Sequence, residues 1–198
     1  VDENNLVVIL GDVMGKRWGA WYFAVAYAGY IRSAIRMVLQ NTKNFTPKEI
    51  IQQVNKSIYN DSKISEVFAT LSILTLNNQD HKVIYSGAGD LPILYKNNLN
   101  NKVESIQADG MLLGFSEDGN FNDYIINMDS KDLIVLYTDG LIESRDMNGK
   151  PIGIKGFSDT ILKIPDNSEP LKFIQSELSL KLNSKFEDDI SLITIQSL

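Results

Sequence analysis

Four aspartates stand where strongly apolar runs begin or end. Asp12 follows Leu6-Val7-Val8-Ile9-Leu10 in Gly11-Asp12-Val13, Asp139 follows Leu133-Ile134-Val135-Leu136-Tyr137 in Thr138-Asp139-Gly140, and Asp188 and Asp189 precede the run from Ile190 to Ile195. A carboxylate at a strand end is held by the sheet and projects into the connecting loop. If the three strands are neighbours the carboxylates converge, and like charges so close raise one another's pKa unless cations neutralise them. Their oxygens are hard ligands, which select Mg²⁺ or Mn²⁺ over softer metals. Two such ions bind a phosphate and lower the pKa of a bridging water, so the chemistry would be hydrolysis by metal-bound hydroxide, with no protein nucleophile. Asp-Gly pairs also form turns, as in Asp109-Gly110, Asp118-Gly119 and Asp139-Gly140, and spacing alone leaves that reading open.

Other chemistries have few residues to draw on. The one histidine, His81, falls in an expected hairpin turn between Asp80 and Lys82. It is a poor base for a Ser-His-Asp triad, and one imidazole is too few for a histidine zinc site. The absence of cysteine excludes disulfides, thiolate zinc sites and a cysteine nucleophile, and is compatible with a reducing cytosol. Gly11-Asp12-Val13-Met14-Gly15-Lys16 departs from a phosphate-binding loop: three residues separate the glycines, not four, and Arg17 stands where Ser or Thr is needed. The formal charge of −6 argues against nucleic acid and against an anionic membrane surface as partners. The apolar stretch from Ala20 to Ile31 runs straight into Arg32 and Arg36, which suits a core helix rather than a membrane span.

The elements that must position the aspartates follow from periodicity. At 198 residues the chain fits one domain, over 1–198, large enough to bury roughly 70% of its unfolded surface. Gly19 to Gln40 predicts a helix, with Val25, Ala28, Ile31, Ile35, Val38 and Leu39 at spacings of three and four. A second helix is signalled by Thr46 as N-cap, Pro47 at the first position and Glu49 at the capping-box position, with Ile50, Ile51, Val54 and Ile58 as its inner stripe. Strands are expected at Phe68–Leu76, Val83–Tyr85, Pro92–Tyr95, Tyr124–Ile126 and Leu133–Tyr137, with a turn at Asn77–Asp80. Ser168 is expected to cap a helix reaching about Asn183, and Ile190–Ile195 to form the last strand. Early helices followed by many antiparallel strands predict the α+β class, sheets with helices stacked outside. The chain opens on Val1-Asp2-Glu3-Asn4-Asn5, a turn-like stretch that reads as mid-domain, so a piece of a longer protein is expected.

Five motifs come in order: Gly11-Asp12-Val13-Met14-Gly15-Lys16, Ser86-Gly87-Ala88-Gly89-Asp90-Leu91-Pro92, Leu112-Leu113-Gly114, Tyr137-Thr138-Asp139-Gly140-Leu141-Ile142-Glu143 and Glu187-Asp188-Asp189-Ile190-Ser191. Together they resemble the bacterial SpoIIE/RsbU branch of the protein phosphatase 2C (PPM) superfamily, over about residues 6 to 195. The resemblance implies an α-β-β-α sandwich of two mainly antiparallel sheets, with two Mg²⁺ or Mn²⁺ ions between them and hydrolysis of phosphoserine or phosphothreonine. By the same resemblance Asp12 bridges the metals, Val13 offers its backbone carbonyl, and Asp139 and Asp188 are further catalytic metal ligands. Asp189 is expected beside them, and Lys16 and Arg17 near the substrate phosphate. The implied substrate is a phosphorylated anti-anti-sigma factor, whose dephosphorylation frees a sigma factor. The implied companions are an upstream sensor or receiver domain and a second copy of the chain in a homodimer.

The chain also departs from that pattern. Gly15-Lys16-Arg17 replaces the branch's Gly-Lys-Gly or Gly-His-Gly, and Arg17 either crowds the site or contacts phosphate. Trp18 and Trp21 stand where small residues are typical. Asp90 replaces a residue often His or Asn and receives no role. The upstream Gly-Asp-x-x-Asp strand is missing, which would leave a sheet edge unpaired and one metal weakly held. Two competing readings therefore stand beside the phosphoprotein phosphatase: a non-catalytic phosphatase-like module, motivated by Arg17, and a metal phosphoesterase for small molecules.

Overall fold

The computed structural model describes residues 5–13, 20–41, 45–77, 81–182 and 188–197. In chain order the elements are β1 (Asn5–Val13), α1 (Ala20–Asn41), α2 (Pro47–Ser65), β2 (Ala69–Asn77), β3 (Lys82–Ala88), β4 (Ile93–Asn97), β5 (Lys102–Ile106), β6 (Tyr124–Asn127), β7 (Leu133–Tyr137), α3 (Asp139–Glu143), α4 (Gly153–Leu162), α5 (Pro170–Lys181) and β8 (Leu192–Gln196). They divide into two compact units, Val1–Asp90 with Gln107–Asn127, and Leu91–Ile106 with Met128–Leu198. Each unit holds one antiparallel sheet flanked by helices, the class expected from the sequence. No helix among the described residues is long and apolar enough to cross a membrane.

In the first unit the sheet order is β1-β2-β3-β6. Alternation along β2 sends Ala69, Leu71 and Ile73 into a core shared with Ile31, Ala34, Ile35 and Val38 of α1 and Ile50, Ile51, Val54 and Ile58 of α2. The expected stripe of α2 is wholly buried. Its start is the predicted capping box: Glu49 N–H donates to Thr46 Oγ1 at 3.3 Å, and Thr46 N–H to Glu49 Oε2 at 2.9 Å. The stripe of α1 is narrower than its apolar pattern, for Val25 is 69% exposed. β1 does not stop at Gly11-Asp12 as expected. Leu71, Thr70 and Ala69 continue to supply partners for Gly11, Asp12 and Val13, and ladder pairing overrides the turn signal of the glycine.

In the second unit the order is β5-β4-β7-β8. Leu133, Val135 and Tyr137 of β7 meet Phe157 and Ile161 of α4 and Ile174 and Leu178 of α5 in its core. Sequence periodicity did not reveal β5, α3 or α4. β5 is short, charged and largely exposed, and pairing with β4 defines it. α4 begins at Gly153 behind Pro151, which reads as a loop until burial of Phe157 and Ile161 is counted. Ser168 does not cap α5: its hydroxyl donates to Pro165 O at 2.8 Å, and Glu169 occupies the N-cap position. The expected turn at Asn77–Asp80 lies mostly outside the described residues; His81, just beyond it, is exposed with φ 49°, as a turn histidine should be.

Candidate metal centre

Within the second unit the structure brings Asp139 beside Asp188 and Asp189. Asp139 is not in a turn after β7 but is the first residue of α3, with Thr138 as N-cap. Thr138 ties the two motifs together. Its amide donates to Ser191 O at 3.1 Å, its Oγ1 accepts from Ser191 N–H at 2.9 Å, and the same hydroxyl donates to Asp189 O at 3.2 Å. A Cβ on Gly140 would stand 2.5 Å from Asp189 O and 3.3 Å from the Asp188 Cβ, so only glycine lets the Asp188-Asp189 backbone lie against the start of α3. Asp188 Oδ1 accepts from Asp189 N–H at 2.8 Å, which orients that carboxylate. Thr138 was inside a quoted motif, yet sequence reasoning gave it no task; β-strand register alone could have shown that it faces Ser191.

Asp12 and Val13 belong to the first unit. Asp12 is opposite Thr70, and directly opposed residues of an antiparallel pair share a face. Since Leu71 and Ile73 face the helices, Asp12, Thr70 and Ser72 lie on the other face. The Asp12 side is exposed, and its backbone carbonyl accepts from Thr70 Oγ1 at 3.5 Å. On the helix side of this strand end is a cavity of about 320 Å³ walled by Ile9, Ile31, Ile35 and Leu71, with Arg32 on its lining.

Two residues further along the same face sits Asp90, which sequence reasoning left without a role. Its Oδ2 accepts from Ser72 Oγ and from Tyr85 Oη, the latter at 2.7 Å. A Cβ on Gly87 would collide with this carboxyl, so the glycine-rich Ser86–Leu91 segment is shaped around it. Burial raises the Asp90 pKa above the ordinary carboxylate value, and the bonds from Ser72 and Tyr85 offset that only in part. The folded state therefore holds the proton more firmly than the unfolded chain. Its contribution to stability is complete below the unfolded pKa near 3.8 and is lost as pH rises through the folded value. Urea unfolding at pH 4 and pH 7 should show a smaller loss with rising pH for Asp90→Asn than for the native chain; parallel losses would contradict this.

Lys16 and Arg17, with Trp18 and Glu187, lie outside the described residues, as does the side chain of Trp21. Among the described residues no group of three or more His, Cys, Asp or Glu side chains is gathered as a metal cage. The donors that are present, carboxylates on Asp12, Asp139, Asp188 and Asp189 and the Val13 carbonyl, are all hard oxygens. That donor chemistry fits Mg²⁺ or Mn²⁺ and not a thiolate or imidazole metal.

Comparison with known proteins gives one consistent picture. A family model described as Stage II sporulation protein E (SpoIIE) matches residues 2–197. The phosphoserine phosphatase RsbU of Bacillus subtilis is 25% identical over 150 residues, covering 75% of this chain and 42% of RsbU. The solved structure of the RsbU and RsbW domains of Rv1364c from Mycobacterium tuberculosis superposes with TM-score 0.77 at 26% identity, over 98% of this chain and 53% of that one. RsbX in complex with magnesium superposes with TM-score 0.66 at 17% identity, over 99% of this chain and 83% of that one, which shows the shared fold. The chain thus spans less than half the length of RsbU.

Proposed function

The chain belongs to the SpoIIE family, and from that premise we propose that it is the catalytic domain of a metal-dependent serine/threonine phosphoprotein phosphatase. The observation that carries this reading is the Thr138–Gly140 clamp. It sets Asp139 against Asp188 and Asp189, in a chain whose nearly full length matches the family.

Asp12, the Val13 carbonyl, Asp139 and Asp188 would hold two Mg²⁺ or Mn²⁺ ions. When bound, these ions supply positive charge against phosphoryl oxygens and a water of lowered pKa. The protein's own part is positional. Sheet register fixes the place of Asp12 on β1, and the N-terminus of α3 with its glycine fixes Asp139 against the Asp188 loop. Asp189, held through its carbonyl by Thr138, keeps that loop in place. Lys16 and Arg17, a short step after Asp12 in sequence, would contact the substrate phosphate.

The substrate we infer is a phosphorylated anti-anti-sigma factor in sigma-factor partner switching in the cytoplasm, because RsbU is a phosphoserine phosphatase and the solved Rv1364c chain joins RsbU and RsbW domains. An upstream sensor or receiver domain would control the activity, and a homodimer would couple it to that domain. The test is release of phosphate from a phosphoserine protein in Mn²⁺, in Mg²⁺ and after chelation. Turnover with either ion and none after chelation is the expected result. Equal rates in all three conditions, or none in any, would overturn the proposal.

A further inference from the structure

We propose that an aromatic pair, the half-buried Phe68 and the exposed Phe115, is a docking point for an apolar side chain of the phosphoprotein substrate, about three residues from the phosphoserine. This rests on the phosphatase reading above and names a determinant of its specificity.

The rings of Phe68 and Phe115 meet edge to face, with centroids 5.8 Å apart. Phe115 is 61% exposed, so its ring shows apolar surface to water. Such exposure costs free energy, and a loop free to move would turn the ring inward. This loop is fixed on both sides of Phe115. The wholly buried Asn55 accepts from Gly114 N–H at 2.8 Å, and its Nδ2 donates to Ser116 O at 2.8 Å and Glu117 O at 3.1 Å. Gly114 has φ +80°, and a Cβ there would strike Ser62 Oγ, so the backbone also needs glycine. A rigid scaffold presenting an exposed aromatic is the arrangement that binds a partner at low entropic cost.

Position supplies the occupant. Ala69 pairs with Val13 on one side and Leu113 on the other. The segment carrying Phe115 is therefore two strand spacings, about 10 Å, from the end of β1. Phe68 immediately precedes β2, and carrying the two-residue alternation one step back from Ala69 puts it on the face of Thr70 and Asp12. An extended peptide advances roughly 3.3 Å per residue, so a phosphoserine at Asp12 places its third neighbour at the aromatic pair. The exposed carboxylates Glu66, Glu117 and Asp118, which flank the pair in sequence, favour a basic residue beside that apolar one.

The probe is a set of Mn²⁺-assayed phosphoserine peptides in which a single Leu walks from four residues before the phosphoserine to four after, beside a Leu-free parent. The native chain should show kcat/KM about tenfold above the parent at one position near three residues away, Phe115→Ala should cut that preference to about twofold, and Phe115→Leu should keep most of it. A flat profile for the native chain, or equal losses on Leu-bearing and Leu-free peptides in Phe115→Ala, would overturn the docking proposal while parent-peptide turnover leaves the phosphatase reading standing. No Mn²⁺-dependent turnover of any peptide or of p-nitrophenyl phosphate would instead overturn the phosphatase reading, and the docking proposal with it. If Phe115→Ala changes only the sedimenting mass, the patch joins copies of the chain and the proposal fails.

Discussion

Asp139→Asn should lower Mn²⁺-dependent phosphate release by roughly a thousandfold while leaving the fold intact. Loss of a residue that merely orients a metal ligand costs 10–100-fold, and removal of a ligand's charge costs more. Asparagine keeps the size of aspartate and leaves the Thr138 N-cap untouched, so α3 and the contacts of its start with Asp188–Ser191 should persist. Asp159→Asn, on the exposed side of α4, changes the same net charge without touching the strand ends and serves as the control. Phosphate release measured at matched Mn²⁺ for the two variants separates site from bulk electrostatics. Equal, small effects would show that Asp139 holds no metal.

The second large effect is steric. Gly140→Ala forces a methyl to within 2.5 Å of a backbone carbonyl, Asp189 O, which no side-chain rotation relieves. The Asp188-Asp189 loop must retreat from α3, breaking the Thr138 bonds at both ends. Overpacking of this kind costs about 1–3 kcal/mol, read as a fall in the urea midpoint. Activity should fall by more than tenfold, since displacing a catalytic group by about an ångström costs that much or more. Gly29→Ala, in α1 with open space around its Cβ, should be neutral or stabilising by up to about 1 kcal/mol. A Gly140→Ala chain as stable and active as the native one would mean that the close approach at α3 is not required.

How far the sequence reveals all this depends on the range of the forces involved. The start and buried stripe of α2 were legible, because a capping box and a stripe at 3.6-residue spacing are local signals. Apart from β5 the strands were legible by place, but their ends, up to three residues off at β1 and β3, were set by partners. β1 runs through Gly11 only because Ala69–Leu71 remain opposite. α3 and α4 were hidden, since one is five residues long and the other starts on glycine behind proline. Among site residues, aspartates at strand ends were visible as a type and a place. Their fixing groups were not: Thr138 acts across 53 residues on Ser191, and Asn55 acts across 59 on Gly114. Asp90 draws no role from its neighbours in sequence, and its burial against Ser72 and Tyr85 appears only once β2 and β3 are paired.

Crystals of the chain grown in Mn²⁺ and measured at the manganese absorption edge would locate the bound ions and their ligands. Two anomalous peaks should appear, with carboxylate oxygens of Asp12, Asp139 and Asp188 at about 2.0–2.3 Å, the range of hard divalent ions. Peaks bound by other residues, or ions held by Asp139 and Asp188 with no oxygen of Asp12 beside them, would contradict the proposed ligand set.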